Sequence, residues 1–201
     1  MFNNKLKINI VIDPLYISAL FWNKISQFIK ENKHYDINIH KTALSKSDIL
    51  AQKDQDLVIT HYNVKSLQPI DLESIKTVLV THPKSVLQHL QHDELSKELQ
   101  RHTYISLLAD GSNADHNNQV IQVGSVETAI NFVKQGLGYS RLPLTVVQEE
   151  LNKNTIKQLN IHSEDKEYKF YLYLNKNSFS TEDIKNLLSL INNPHQNLII
   201  D

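Results

Sequence analysis

Short apolar runs alternate with longer amphipathic segments over the first 60 residues, and this alternation limits the folds open to the chain more than any other feature. The short runs are rich in β-branched residues and suit buried strands, whereas the longer segments place apolar residues at helical spacing. Such an order predicts right-handed crossovers and a largely parallel sheet, and therefore an α/β protein. The predicted elements are a strand at 8–12, a helix at 15–30, a strand at 35–41, a helix at 45–52 and a strand at 56–60.

The first long helix has a candidate start signal. Asp13 and Pro14 follow the first strand and stand where an N-cap and a first-turn proline belong. Within the helix, Trp22 fits the apolar stripe and is predicted to pack in the core. Phe21 lies away from the centre of that stripe.

The rest of the chain continues the alternation with weaker signals. The region 61–75 has no clear period and predicts an irregular connection. The segment 109–118, rich in Asn, Asp and Gly, is the most loop-like part of the chain. Further strands are predicted at 77–81, 103–108, 119–123, 155–161 and 168–174, and helices at parts of 87–100, at 144–151 and at 181–192.

The segment 124–143 reads as a helix with both ends defined, followed by a short strand. Ser125 is a good N-cap, because its hydroxyl can accept a hydrogen bond from an N–H of the first helical turn. Gly136 stands where a left-handed C-cap residue is expected, and Pro143 closes the strand. Apolar residues at helical spacing between these ends require that one face of the helix be covered.

Composition argues against several classes of function. The 201 residues have a formal net charge of -1 and are 40% hydrophobic, which fits a globular protein without the basic footprint of a nucleic-acid binder. The absence of cysteine removes disulfides, thiol nucleophiles and Cys-ligated zinc. No apolar run is long enough to span a bilayer, and the polar start lacks the pattern of a secretory signal peptide. These features predict a cytoplasmic location and no membrane partner.

Several motifs follow one another in a recognisable order. They are Lys5-Leu6-Lys7-Ile8 before the first helix, Asp56-Leu57-Val58-Ile59 in the third strand, His82-Pro83 after the fourth, Gly136-Leu137-Gly138 with Leu142-Pro143, and the polar run that ends in Ile156-Lys157-Gln158-Leu159. Together these motifs resemble the effector-binding (substrate-binding) domain of LysR-type transcriptional regulators.

The resemblance implies a periplasmic-binding-protein-like α/β fold of type 2, in which two α/β subdomains are joined by two crossover strands and enclose a cleft. Regulatory subdomain I would consist of residues 1–75 plus 163–201, and regulatory subdomain II of residues 76–162. The chain should leave the first subdomain near Ile75 and return to it near His162.

The resemblance also implies the partners. A small-molecule effector would bind in the cleft, and the regulatory domain would form a homodimer or tetramer, with Phe21 on the first long helix as a candidate subunit contact. DNA would be bound only through a winged helix-turn-helix, which is missing from these 201 residues and would belong to a longer parent protein. Where the family usually has small residues after Gly-Leu-Gly, this chain has Tyr139, Ser140 and Arg141.

Candidate ligand-binding residues follow from the rule that ligands of open α/β sheets lie beyond the carboxyl ends of strands, against helix N-termini. Simpler interpretations compete with this one, because helix capping alone explains Ser125 and a solvated loop position explains His61. Asp13 would repel an anionic effector, so we interpret it first as an N-cap and second as a sign of a cationic or hydroxyl-rich ligand. The candidates are Asp13, Leu15, Tyr16, Thr60, His61, Ser106, Gly124 and Ser125.

Metal and catalytic signals are weak. His89 and His92 lie about one helical turn apart beside Asp93, but no second cluster of ligands accompanies them, so neither a metal nor a cofactor is predicted. The chain lacks a Gly-x-Ser-x-Gly motif, a P-loop and a His-Glu-x-x-His motif. We therefore predict no catalytic residues and no enzyme activity.

Three functions are compatible with this fold. The favoured one is the effector-sensing domain of a LysR-type transcriptional regulator, which binds a small metabolite in the interdomain cleft. The alternative is a freestanding solute-binding protein of the same fold, which would need export or membrane tethering. An enzyme on the same scaffold is a third interpretation, since a fold does not determine function, but no paired acid and base occur at motif spacing.

Overall fold

Strands and helices alternate along the computed structural model, which describes residues 6–51, 55–107, 119–161, 166–175 and 179–192. Two short 3-10 turns, Lys65–Leu67 and Val86–His89, flank the fourth strand. The elements are β1 (Leu6–Ile12), α1 (Ala19–Glu31), β2 (Tyr35–Lys41), α2 (Lys46–Ala51), β3 (Leu57–Thr60), β4 (Ile70–Thr81), α3 (His92–Leu99), β5 (Tyr104–Ser106), β6 (Val120–Gln122), α4 (Val126–Lys134), β7 (Tyr139–Pro143), α5 (Leu144–Asn152), β8 (Lys157–Gln158), β9 (Lys166–Leu174) and α6 (Thr181–Asn192).

The strands form one mixed sheet in the order β2-β1-β3-β9-β4-β7-β5-β6, and β8 pairs with β4. β1 is parallel to both β2 and β3, which confirms the parallel arrangement predicted for the first three strands. β5 is likewise parallel to β6 and to β7. β4 and β9 lie between these two parallel groups and are antiparallel to their neighbours. The sheet therefore consists of two parallel groups joined by two antiparallel strands.

The long strand β4 sets the two groups facing each other. Its first half pairs with β9, where Tyr171 lies between Asp71 of β4 and Thr60 at the end of β3. Its second half pairs with β7, where Pro143 lies opposite Thr77. Thr77 follows Asp71 by six positions, which corresponds to about 20 Å along a strand. The carboxyl ends of β3 and β7 therefore point toward each other across this stretch of β4.

One continuous hydrophobic core extends through both halves of the sheet. It includes Ile12 of β1, Val80 of β4, Val133 of α4, Leu142 of β7 and Phe170 of β9, each with 0% exposure. Two smaller clusters, which contain residues of α2 and α3, complete the packing. Burial of this apolar surface is the main force that holds the strand ends in place.

Helix α1 begins at Ala19, four residues later than the sequence pattern predicts. Its N-cap is Ser18, whose Oγ accepts a hydrogen bond from Phe21 N at 3.1 Å. The prediction that Asp13 and Pro14 start this helix is therefore wrong. The Asp13 side chain has other partners, which belong to the site described below.

The later start also changes the face that α1 buries. Phe21, Ile25 and Phe28 are at most 3% exposed, whereas Trp22 is only partly buried and packs at the edge of the core. The prediction that Phe21 lies off the buried stripe and is free for a subunit contact is wrong. Its ring instead packs against the rings of Tyr16 and Trp22, at centroid distances of 5.5 and 5.9 Å.

The second half of the chain departs from the prediction at two places. The irregular connection predicted for 61–75 ends at Ile70, where β4 begins. A register shift between Asp71 and Ser74 leaves Glu73 and Ser74 both exposed, which interrupts the alternation expected of a strand. The strand predicted at 155–161 is reduced to Lys157–Gln158. The predicted loop at 109–118 and the predicted return point near His162 lie outside the described residues.

Both predicted ends of helix α4 are confirmed. Ser125 Oγ accepts a hydrogen bond from Thr128 N at 3.1 Å, which is the expected capping contact. Gly136 has a φ of +75°, a left-handed conformation that favours glycine. The segment therefore delivers Ser125 to a defined position at the end of β6.

Candidate functional site

The candidate site is the space between the facing carboxyl ends of the two parallel strand groups, called the cleft below. Residues 13–16 and 60–62, at the carboxyl ends of β1 and β3, form the first wall. Residues 106–107 and 124–126, at the ends of β5 and β6, form the second. Helices α1, α4 and α5 each follow the carboxyl end of a strand, so their N-termini lie on the cleft side of the sheet.

A buried hydrogen-bonding contact joins the two strand ends of the first wall. His61 Nδ1 lies 2.7 Å from Asp13 Oδ2, and the two side chains are 10% and 2% exposed. The second carboxylate oxygen, Asp13 Oδ1, accepts a hydrogen bond from Leu15 N at 2.9 Å. The structure therefore brings together two of the predicted site residues and occupies both oxygens of the carboxylate.

Aromatic rings surround the imidazole of His61. The ring centroids of Tyr62, Tyr168 and Phe170 lie 4.1, 5.3 and 6.2 Å from that of His61. The Nζ atom of Lys46, at the start of α2, lies 5.7 Å from the centroid of the Tyr62 ring. This packing fixes the orientation of the imidazole and leaves only a narrow opening toward solvent.

The other predicted residues of the first wall are largely internal. The side chains of Leu15 and Tyr16 are 1% and 2% exposed and belong to the core, so these residues offer mainly backbone groups to the cleft. Thr60 is 2% exposed, and its Oγ1 accepts a hydrogen bond from Tyr62 N at 3.3 Å. Burial and the negative charge of Glu73, which accepts a hydrogen bond from the Tyr16 hydroxyl at 3.2 Å, raise the pKa of Tyr16 well above its ordinary range.

The second wall carries small polar residues. Ser106 ends β5 and is 1% exposed, and its carbonyl oxygen accepts a hydrogen bond from Val123 N at 2.9 Å, which holds the end of β6 beside it. Gly124 is exposed, and a Cβ added there would meet no atom within 4 Å. Ser125 caps α4, and its Oγ also lies 2.9 Å from Thr128 Oγ1. Ser106, Gly124 and Ser125 therefore lie together at the carboxyl ends of β5 and β6, which face the carboxyl ends of β1 and β3.

Sequence reasoning missed two residues near the cleft. Tyr168 reaches His61 because β9 runs beside β3, and only the register of the returning strand reveals this. Arg141 of β7 is 7% exposed, and since Ile105 pairs with Ser140, the next position along β5 is Ser106 beside Arg141. For Arg141, the signal in the sequence is a charged residue inside an otherwise apolar or uncharged strand.

The described part of the chain holds neither a clustered metal site nor a membrane-spanning helix. Among its residues, no group of three or more His, Cys, Asp or Glu side chains is arranged to hold a metal ion. His89 lies exposed on a 3-10 turn, apart from the cleft residues. No helix within the described ranges is both long enough and apolar enough to cross a membrane.

The family model for the LysR substrate binding domain matches residues 6–193. The chain belongs to this family. Its fold is therefore the periplasmic-binding-protein-like fold of type 2 predicted from the sequence motifs, and the family is one of effector-binding domains of transcription regulators and not of enzymes. The mixed sheet with two facing strand groups agrees with that assignment.

Solved structures of LysR-type regulators share the fold. The regulatory domain of MetR from N. meningitidis is 14% identical, with a TM-score of 0.69 over 92% of this chain and 91% of that chain. The effector binding domain of QuiR in complex with shikimate is 16% identical, with a TM-score of 0.64 over 94% and 96%. Full-length LysG from Corynebacterium glutamicum with bound effector Arg is 12% identical, with a TM-score of 0.66 over 92% and 67%. No curated protein matches the sequence.

Proposed function

We propose that this LysR-family domain senses a small metabolite that binds in the cleft, and that binding modulates transcription. The observation that carries the proposal is the facing arrangement of polar groups from both strand groups. The Asp13–His61 pair lies on one wall, and Ser106 and Ser125 lie on the other. The bound shikimate of QuiR and the bound Arg of LysG support a small polar ligand for a domain of this fold.

The ligand would act by changing the relative orientation of two subdomains. We propose the boundaries 1–75 plus 163–201 for subdomain I and 76–162 for subdomain II, since β4 changes its pairing partner from β9 to β7 near Thr77. A ligand that touches both walls would favour the arrangement in which the walls are closer. It can shift the equilibrium only by its difference in affinity for the two arrangements.

The output would require other parts of a regulator. We propose that a winged helix-turn-helix of a longer cytoplasmic protein binds the DNA, and that the domain pairs as a homodimer or within a tetramer. The subdomain movement would then change the spacing of the DNA-binding domains. The predicted ligand-binding residues stay a proposal, with Leu15 and Tyr16 contributing through their backbone.

A thermal-shift screen of small metabolites tests the proposal. A true effector should raise the melting temperature of the chain, and this shift should fall in Thr60→Ala and Ser125→Ala. Ser180→Ala is the matched control, because Ser180 Oγ caps α6 in the same way, at 3.1 Å from Asp183 N. Ser180 contacts Tyr35, at the amino-terminal ends of the parallel strands and away from the cleft. If the thermal shift caused by a hit is unchanged in both cleft variants, or falls equally in Ser180→Ala, the result would count against the cleft as the binding site.

A further inference from the structure

We propose that His61 recognises an acidic group of the effector, a carboxylate or a phosphate, and takes up a proton when that group binds. The proposal rests on the function proposed above and names the chemistry of the ligand. Asp13 acts in it as a positioning residue, which holds the imidazole and does not touch the effector.

Asp13 and His61 differ in how accessible they are on the first wall. From the sequence alone, the Asp13 carboxylate is interpreted first as an N-cap and second as a sign of a cationic or hydroxyl-rich ligand. In the structure, however, Leu15 N and His61 Nδ1 occupy its two oxygens at 2.9 and 2.7 Å, and the side chain is 2% exposed. The carboxylate is therefore shielded, and the imidazole, at 10% exposure, is the more accessible of the two side chains.

The contact with Asp13 determines the hydrogen-bonding roles of the two ring nitrogens of His61. A carboxylate oxygen that accepts from Nδ1 requires Nδ1 to carry a hydrogen, because two acceptors cannot form a hydrogen bond. The remaining nitrogen, Nε2, is then a lone-pair acceptor in neutral His61 and an N–H donor in protonated His61. Nε2 can donate to an anionic group only in the protonated form, and Asp13 lies where it stabilises the resulting imidazolium.

The charged and titratable neighbours of His61 come from several elements. The titratable or charged side chains that face it are Asp13 from the turn after β1, Tyr62 after β3, Tyr168 from β9 and, behind Tyr62, Lys46 of α2. Glu73 of β4 is engaged with the Tyr16 hydroxyl. The hydrogen bonds from Leu15 N and His61 satisfy the oxygens of Asp13 without cancelling its charge, so the carboxylate remains an anion beside neutral His61 and is balanced only when His61 is protonated. Lys46, beside the Tyr62 ring, adds a cation to the described neighbours. The surroundings therefore favour protonated His61, whose Nε2–H can donate to an acidic group and cannot accept a hydrogen bond from an amine.

Linkage gives the consequence for binding. If the complex holds one proton more than the free protein and ligand, affinity must rise as the pH falls through the range in which His61 takes up that proton. Loss of the charged hydrogen bond in His61→Asn should weaken binding of an acid about 10- to 100-fold. A neutral or cationic ligand should show neither effect.

Isothermal titration calorimetry of the 201-residue chain tests this directly. The probes are acetate, succinate, citrate and inorganic phosphate, with glycerol and ethanolamine as neutral and cationic comparisons. Each titration is run at the same pH in two buffers with different ionisation enthalpies, so that the dependence of the heat on the buffer gives the number of protons bound. We expect proton uptake with at least one of the acids, and its loss in His61→Asn.

Two further variants separate positioning from structure. In Asp13→Asn the amide NH₂ can donate to Nδ1, so the imidazole changes tautomer and the proton uptake should disappear even where the domain remains folded. His34→Asn is the matched control, since His34 also lies beside a carboxylate, 3.4 Å from Asp183, but at the amino-terminal ends of the parallel strands. It should leave both affinity and proton uptake unchanged.

Each outcome decides between the proposals. An acid that binds with proton uptake, abolished in His61→Asn, supports the inference. An acid that binds without uptake, or equally well in His61→Asn, overturns it. A third outcome is that no acid binds but a neutral or cationic ligand does, such as glycerol, ethanolamine or a screening hit, and that its binding depends on Ser125. This outcome overturns the inference and leaves the proposed function standing. Failure of every ligand class in both the calorimetry and the screen overturns both.

Discussion

His61 Nδ1 and Asp13 Oδ2 lie 2.7 Å apart, although the two residues are 48 positions apart in the sequence. The contact connects the carboxyl ends of β1 and β3, the two strands that form the first wall of the cleft. Because Asp13 is nearly inaccessible, the pair gives this wall an oriented imidazole in place of a free carboxylate. The chemistry of the wall is thus set by a contact and not by the charge of either residue alone.

The N-cap of α4 should be measurable apart from any ligand. Ser125→Ala removes the oxygen that accepts from Thr128 N, so the free energy of unfolding should fall by about 1 kcal/mol. Ser125→Asn keeps a capping oxygen and should cost only a few tenths of a kcal/mol. Urea unfolding followed by circular dichroism measures both. Equal stability of the two variants would show that this cap contributes nothing.

Two glycines near α4 should respond in opposite ways to a methyl group. In Gly138→Ala the added Cβ would lie 2.1 Å from the Thr103 carbonyl oxygen, a backbone atom that cannot yield, so we expect destabilisation by about 1–3 kcal/mol. In Gly124→Ala the Cβ meets no atom within 4 Å, and stability should change by less than about 0.5 kcal/mol. The melting temperatures of the two variants give the comparison. Strong destabilisation by Gly124→Ala would contradict the described geometry.

The later start of α1 predicts which aromatic residue matters more for stability. Phe21 is 3% exposed and belongs to the core, so Phe21→Ala should cost about 3–4 kcal/mol in unfolding free energy. Trp22 lies at the core edge and is partly exposed, so Trp22→Ala should cost less despite the larger side chain removed. Denaturant unfolding of both variants decides the order. A larger loss of stability for Trp22→Ala would instead support the buried stripe predicted from the sequence, in which Trp22 packs in the core and Phe21 lies away from its centre.

Asp183 should make folding stability depend on pH in the acid range. Burial raises the pKa of its carboxyl group, but hydrogen bonds from Tyr35, Ser180 and His34 outweigh this effect and hold the pKa below its ordinary value. A carboxyl group with a lowered folded pKa stabilises the protein above its unfolded pKa of about 3.9. That contribution is lost as the pH falls through the folded pKa.

The variant Asp183→Asn isolates this contribution. Wild type should be more stable than the variant at neutral pH, and the difference should shrink as the pH falls below about 4. Urea unfolding from neutral to acid pH measures it, with Glu182→Gln as the control because Glu182 is an exposed carboxylate next in the chain. A difference that stays constant over this range would contradict the hydrogen bonding described for Asp183.

The elements were more predictable than their boundaries. Period and capping residues identify α4 with its Ser125 cap and the parallel strands β1, β2 and β3, because these signals are local. Asp13-Pro14 resembles a helix start, but Asp13 instead contacts Leu15 N and His61, and Ser18 caps α1. A local sequence pattern cannot reveal a contact with a residue 48 positions away.

The candidate site follows from the sequence as a set of strand ends but not as a set of side chains. The rule for α/β sheets selects positions such as Thr60 and Ser106, whereas it cannot show that Leu15 and Tyr16 turn into the core. Tyr168 enters the site through the register of β9 with its neighbours, which depends on the whole sheet. Pairing across distant segments therefore decides which side chains a ligand meets.

The crystal structure of the domain in complex with a hit from the metabolite screen tests the central claim most directly. We predict electron density for the ligand between the carboxyl ends of β1 and β3 and those of β5 and β6, with contacts to His61 on one wall and to Gly124 or Ser125 on the other. Density that contacts only one wall, or that lies on the outer surface of the helices, would contradict the claim that the cleft is the sensing site.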